Sequence, residues 1–176
     1  SMTLEQKNTC IMCRTQNFAT GSKQDIETLR KWTKKGKAWA MGMLAQRYRK
    51  GVGVKQSDKK VVEFEEMAAE RGEATAQYHL GLCYDQGSHG LTQSSTRAIE
   101  FYTLAAEQGH AEAQFNLGTF YYTGNNDVEK SNSKAREWWT KAAAQGDETA
   151  IKNLKIMDEN EGLKSSTTTP PPEVID

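Results

Sequence analysis

The sequence predicts an all-α chain, an α/α solenoid of helix-turn-helix units 36–37 residues long, and three observations lead to it. Gly36, Gly72, Gly109 and Gly146 recur at separations of 36, 37 and 37 residues. Between them apolar residues return at spacings of three, four, seven and eight, which follow one face of a helix and not the alternation of a strand. The composition suits close helix packing: of 176 residues only 27 are Leu, Ile, Val or Phe, whereas 18 are Ala and 14 are Gly. Burial must then come from short distances between backbones more than from large aliphatic side chains. So few large aliphatics would suggest disorder in a highly charged chain, but 23 Lys+Arg balance 23 Asp+Glu here.

Residues 1–24 read as an N-terminal tail. Cys10 and Cys13 have the two-residue spacing that lets two thiolates reach one Zn²⁺, but a structural zinc needs four ligands and the sequence offers no second pair. With Cys83 the cysteine count is three, an odd number that suits a reducing compartment better than a disulfide framework. The expected location is therefore intracellular, cytoplasmic or nuclear. No apolar run approaches the 18 residues of a membrane span, so no membrane partner is expected.

From residue 25 to 35 a single helix is expected, with Ile26, Leu29 and Trp32 on one stripe. Three full units follow, 37–72, 73–109 and 110–146, and the first helix of each has the same signature. Four residues past the linker glycine stand Ala40, Ala76, Ala113 and Ala150; eight past stand Leu44, Leu80, Leu117 and Leu154; twelve past stand Tyr48, Tyr84 and Tyr121. Gly51, Gly87 and Gly124 end these helices, as glycine does just beyond a helix terminus. The second helix of each unit reads Val61, Ala98, Ala135, then Phe64, Phe101, Trp138, then Ala68-Ala69, Ala105-Ala106, Ala142-Ala143. The one inserted residue of the second unit falls between Gly87 and Leu91, in a loop, where a stacked repeat tolerates it. A last helix over 148–160 closes a solenoid spanning 25–160, and its lone helices act as caps. Residues 161–176, with three Thr and all three Pro of the chain, are expected to be a disordered tail.

The segments AEAQFNLGTFYYTG (111–124) and KAREWWTKAAAQG (134–146) resemble the Sel-one-like repeat, which is similar to the tetratricopeptide repeats. The resemblance implies a right-handed superhelix that serves as an adaptor or scaffold for protein complexes and has no catalytic residues of its own. This chain departs from the pattern where Asn125-Asn126-Asp127 replace a loop glycine, and where Ala45 and Lys155 stand at the glycine position of Leu80-Gly81 and Leu117-Gly118. The run CIMCR (10–14) is similar to the closing C-P-x-C-R of a RING finger, with Ile11 in place of proline. That likeness implies an alternative function, the substrate-recruiting region of a ubiquitin ligase. No cofactor is expected of the chain itself, and zinc only in a longer protein that completes Cys10 and Cys13.

On the first helices, offsets 3, 6, 10, 13 and 14 from each linker glycine lie opposite the packing stripe at 100° per residue. In the superhelix implied by the resemblance this side lines the concave groove. The candidate partner-binding residues there are Trp39, Arg49, Lys50, Tyr78, Leu82, Phe115 and Tyr122. Aromatic rings beside polar groups typify binding hot spots, so a protein or peptide partner is expected, although strong curvature would bury the same rings in the core. Charge is divided along the chain: 23–60 has net +9 and 61–176 net −10. The basic end would attract an acidic partner. Nucleic acid is disfavoured because no reader motif accompanies the charge and the acidic remainder would repel phosphates. His79, His89 and His110 occupy different positions, and no Ser/Asp or Cys/His set recurs at a spacing that builds a triad, so no enzyme is expected.

Overall fold

A computed structural model describes residues 21–124, 128–160 and 162. The Cys10–Cys13 pair with its RING-like run, and nearly all of the Thr/Pro-rich tail, lie outside these residues. The described residues form eight α-helices: α1 (Lys23–Lys34), α2 (Ala38–Lys50), α3 (Asp58–Ala69), α4 (Ala74–Gln86), α5 (Ser95–Glu107), α6 (Ala111–Thr123), α7 (Asn132–Ala144) and α8 (Glu148–Asn160). Each packs chiefly on the helix before and after it, and most closely within the pairs α2–α3, α4–α5 and α6–α7. The architecture is therefore the expected helical-repeat solenoid.

Local chemistry repeats with the fold. Gly36, Gly72, Gly109 and Gly146 sit at φ of 73°, 77°, 87° and 90°, a region that side chains with a Cβ enter at a cost. A Cβ on Gly72, Gly109 or Gly146 would meet nothing within 4 Å, so at those turns backbone conformation and not crowding selects glycine. The second helices start alike: Ser57, Ser94 and Ser131 each accept a hydrogen bond through the side chain from the backbone N–H three residues on. This cap satisfies one of the amides that a helix start leaves unpaired.

Of the packing stripe of the first helices, Ala40, Ala113, Ala150, Leu44, Leu80 and Leu117 are fully inaccessible, whereas Tyr48, Tyr84, Tyr121 and Leu154 are half-buried. Ala113→Leu is accordingly expected to overfill the third unit and cost about 1–3 kcal/mol; an unchanged thermal midpoint would place Ala113 outside the core.

In the second helices Val61, Ala98, Ala135 and the positions Ala68, Ala105 and Ala142 are buried, and only the aromatic position departs from the repeat pattern. Phe64, Phe101 and Trp138 are only half-buried. Phe64 and Phe101 stack on Tyr48 and Tyr84 at centroid distances of 5.7 and 5.6 Å, and Lys141 covers Trp138 at 4.0 Å. The deeply buried residue is the next one along, Tyr102 in α5 and Trp139 in α7, at 0% and 2% exposure. Both rings lie against a glycine of the preceding helix, Tyr102 on Gly81 and Trp139 on Gly118.

In α3 the equivalent residue is not a ring but a carboxylate, Glu65, at 1% exposure, and the opposing residue of α2 is Ala45. Two further polar side chains are buried, Gln77 and Gln114, 37 residues apart. Each donates from Nε2 to a carbonyl at the end of the preceding helix, Ala69 or Ala106. Each also accepts at Oε1 from the Nε2 of a later glutamine, Gln108 or Gln145. These bonds add a second donor to end-of-helix carbonyls that already accept from the Gly72 and Gly109 N–H groups.

Candidate functional site

The face named from the sequence is carried by α2, α4 and α6. Its rings are half-buried, with one side resting on neighbouring side chains. Trp39 of α2 lies 6.0 Å from Trp32 of α1, at a 47° tilt. Tyr78 of α4 stacks on His110 at 4.6 Å and meets the buried Tyr102 at 5.8 Å. Burial, followed by the charge of Glu112, pushes the Tyr78 hydroxyl above its ordinary range. His110 is held below the usual imidazole value, chiefly by its burial. In α6, Phe115 and Tyr122 pack around Trp139: the indole Nε1 donates to the Phe115 carbonyl at 3.2 Å, and the Tyr122 ring lies 5.2 Å from Trp139. Lys130 sits over the opposite end of this group, 5.2 Å from the Tyr122 centroid. Lys50 is exposed at the end of α2.

Arg49 and Leu82 come together, and with them residues that the sequence reading did not place in a site. Arg49 Nη2 donates to Glu65 Oε1 at 2.8 Å, and His79 Nδ1 lies 3.0 Å from the same oxygen. One buried carboxylate of α3 thus joins the last turn of α2 to the middle of α4. Beside this group a cavity of about 130 Å³ is lined by Arg49, His79, Leu82, Cys83, Gln86, Ser88 and His89. His89 has Nδ1 2.6 Å from Asp58 Oδ1, at the start of α3. Its backbone is left-handed, with φ of 53°. Cys83 is buried, 4% exposed, and burial pushes its thiol up.

The second-helix side carries a larger and shallower hollow of about 670 Å³ between α5 and α7, walled by Ile99, Leu104, Tyr121, Val128 and Lys134 among others. Among the described residues no group of three or more His, Cys, Asp or Glu is arranged to hold a metal ion. No helix among them is long and apolar enough to cross a membrane.

Residues 40–73, 74–110 and 111–147 match the model of the Sel1 repeat, three consecutive copies that together span more than half of the chain. Among solved structures, the chain is similar to a Sel1 repeat protein from Oxalobacter formigenes, with 37% identity and a TM-score of 0.71 over 76% of this chain and 98% of that one. It is also similar to a protective antigen of uropathogenic Escherichia coli strains that displays an SLR fold, with 28% identity and a TM-score of 0.72 over 88% of this chain. The match spans 35% of that protein's length. The cysteine-rich protein B of Helicobacter pylori shares the fold at 21% identity, with a TM-score of 0.56 over 73% of this chain and 96% of that one. No curated protein matches the sequence.

Proposed function

The chain belongs to the Sel1-repeat family, and from that premise we propose that it is a non-enzymatic scaffold that binds an extended peptide or protein segment along the faces of α2, α4 and α6. Sel1-repeat proteins are generally scaffolds for protein interactions. The observation that carries the reading is the half-burial of Trp39, Tyr78, Phe115 and Tyr122. Each ring keeps part of its surface open while neighbours such as Trp32, His110 and Trp139 hold it from behind. A ring already ordered by its own core loses little further freedom when a partner covers it, which favours rigid aromatic anchors in recognition surfaces. Lys50, Leu82, Gln86 and Glu112 supply polar and aliphatic contacts between the rings. The reading needs no cofactor; zinc would enter only where other ligands complete Cys10 and Cys13.

The test is selection from a displayed library of extended peptides. Binders are expected, and Tyr78→Ala and Phe115→Ala should each weaken them by about 1–2 kcal/mol or more. Thermal melts of both variants separate this loss from packing, since both rings also touch the core. A library that yields no binder, or binders indifferent to all four rings, would remove this face as the site.

A further inference from the structure

We propose that the cavity between α2 and α4 is a socket for a carboxylate, receiving an aspartate or glutamate side chain of the bound partner. This rests on the reading above only in that the acid is carried by a peptide lying along the first helices. Its starting point is the exchange of a core ring for a buried acid: Glu65 stands in α3 where Tyr102 and Trp139 fill the same place in α5 and α7. A buried ion pair is seldom more stabilising than apolar residues of the same volume. The exchange therefore does little for the unit, but it opens a polar hollow on the face already lined by Trp39 and Tyr78.

The orientation of the groups selects the guest. Glu65 Oε1 takes one guanidinium nitrogen of Arg49 and Nδ1 of His79, which leaves other guanidinium N–H groups, among them the buried Arg49 Nε that has no hydrogen-bond partner, for a second acceptor, joined by Nε2 of His79 when that ring is protonated. His89 is arranged in the same way, its Nδ1 held by Asp58. An imidazole backed by a carboxylate at one nitrogen is fixed in orientation, so that its other nitrogen has a set direction. In its protonated form either ring presents an Nε2–H donor to an anion. Glu65 Oε2 is buried without a hydrogen-bond partner, but neither Glu65 nor Asp58 lines the cavity, and Cys83 keeps its proton because burial disfavours the thiolate, so the wall itself is rich in donors. A cationic guest would face a guanidinium and two imidazoles at once.

Size and field agree with this choice. At about 30 Å³ per water in the liquid, the cavity of about 130 Å³ has room for a carboxylate and its neighbouring methylene, with Leu82 as the apolar wall for the stem. A planar carboxylate also matches the fork of a guanidinium better than other acceptors do. The segment 23–60, which supplies Arg49, has net +9, so an acidic peptide is drawn toward this end of the solenoid.

The probe is a terminally blocked glycine-serine-aspartate-serine-glycine peptide, with asparagine in place of aspartate as control, titrated while the imidazole Cε1–H signals are followed by NMR. The expected result is a saturable shift of His79 and His89 with the acidic peptide and a response at least about tenfold weaker with the control, while His110 stays unmoved. The shift should disappear in the paired Arg49→Leu/Glu65→Leu variant, and should weaken at least about tenfold in Gln86→Glu, a change at an exposed residue that places a negative charge at the mouth. Equal responses to both peptides, no response, or a shift kept in Gln86→Glu overturns the proposal. Displayed libraries separate the two readings. Binders without acidic preference leave the peptide-binding face standing and overturn the socket, whereas a specific response to the acidic probe with no library binder does the reverse.

Discussion

Gly118→Val is expected to lower the stability of the solenoid by about 3 kcal/mol, at the upper end of the range for overfilled cores. That corresponds to a fall in thermal midpoint of roughly 10 °C for a domain of this size. A Cβ at residue 118 would lie 2.5 Å from Nε1 of Trp139 and closer still to the ring carbon beside it. The indole cannot retreat, because it is 2% exposed and donates to the Phe115 carbonyl. Gly81 has the same relation to Tyr102, whose Cδ1 would be 2.6 Å from the added atom. The chain contains its own control, since Ala45 stands at this register in the unit whose second helix carries Glu65 in place of a ring. The clash therefore belongs to the ring. Gly118→Ala in the wild-type background should be destabilising, despite the roughly 1 kcal/mol that alanine gains over glycine in helix propensity. In a Trp139→Leu background it should cost markedly less, giving a coupling of at least about 1 kcal/mol in a double-mutant cycle. Additive effects in calorimetric melts would show that the glycine is selected for something other than room for the indole.

The same register explains what the sequence did and did not disclose. The helices and their caps were legible because glycine and alanine recur with the period of the unit: Gly36, Gly72, Gly109 and Gly146 set the frame, and Ala40, Ala76, Ala113 and Ala150 mark the buried stripe within it. In the second helices the Val/Ala positions of the repeat are buried as the periodicity implies, but the ring position it picks out, Phe64, Phe101 and Trp138, forms the more uniform apolar series without being the innermost one. The buried series, Glu65, Tyr102 and Trp139, looks polar at its first member. A signal was present all the same. Ala45 departs from Gly81 and Gly118 in the unit where Glu65 departs from Tyr102 and Trp139, and paired departures in two helices point to contact between them. The binding face was legible only as a set of positions. That Arg49 is turned toward Glu65 and His79, and that His89 reaches back to Asp58, depends on how α2, α3 and α4 meet. Spacing along one helix carries no information about that meeting.

Removing one member of the buried pair should cost far more than removing both. Arg49→Leu leaves Glu65 at 1% exposure with the His79 ring still beside it, and uncompensating a buried charge in this way is expected to cost about 3–5 kcal/mol. Glu65→Leu is expected to cost less, because the Arg49 side chain retains 27% exposure and can turn toward water. The paired Arg49→Leu/Glu65→Leu variant removes both charges from the low-dielectric interior, so its stability should return to within about 1 kcal/mol of wild type or exceed it. Converting the first unit to the pattern of the second, Ala45→Gly with Glu65→Tyr and Arg49→Leu, tests the same balance by replacing the carboxylate with the ring that fills this place in α5. Chemical denaturation of the four proteins decides the matter. Should the double variant be as unstable as Arg49→Leu, the pair is required for the packing of α2 on α3. If instead it is as stable as wild type, the carboxylate has no structural requirement behind it, and its persistence at a position made for a ring is left to be explained by what the cavity beside it holds.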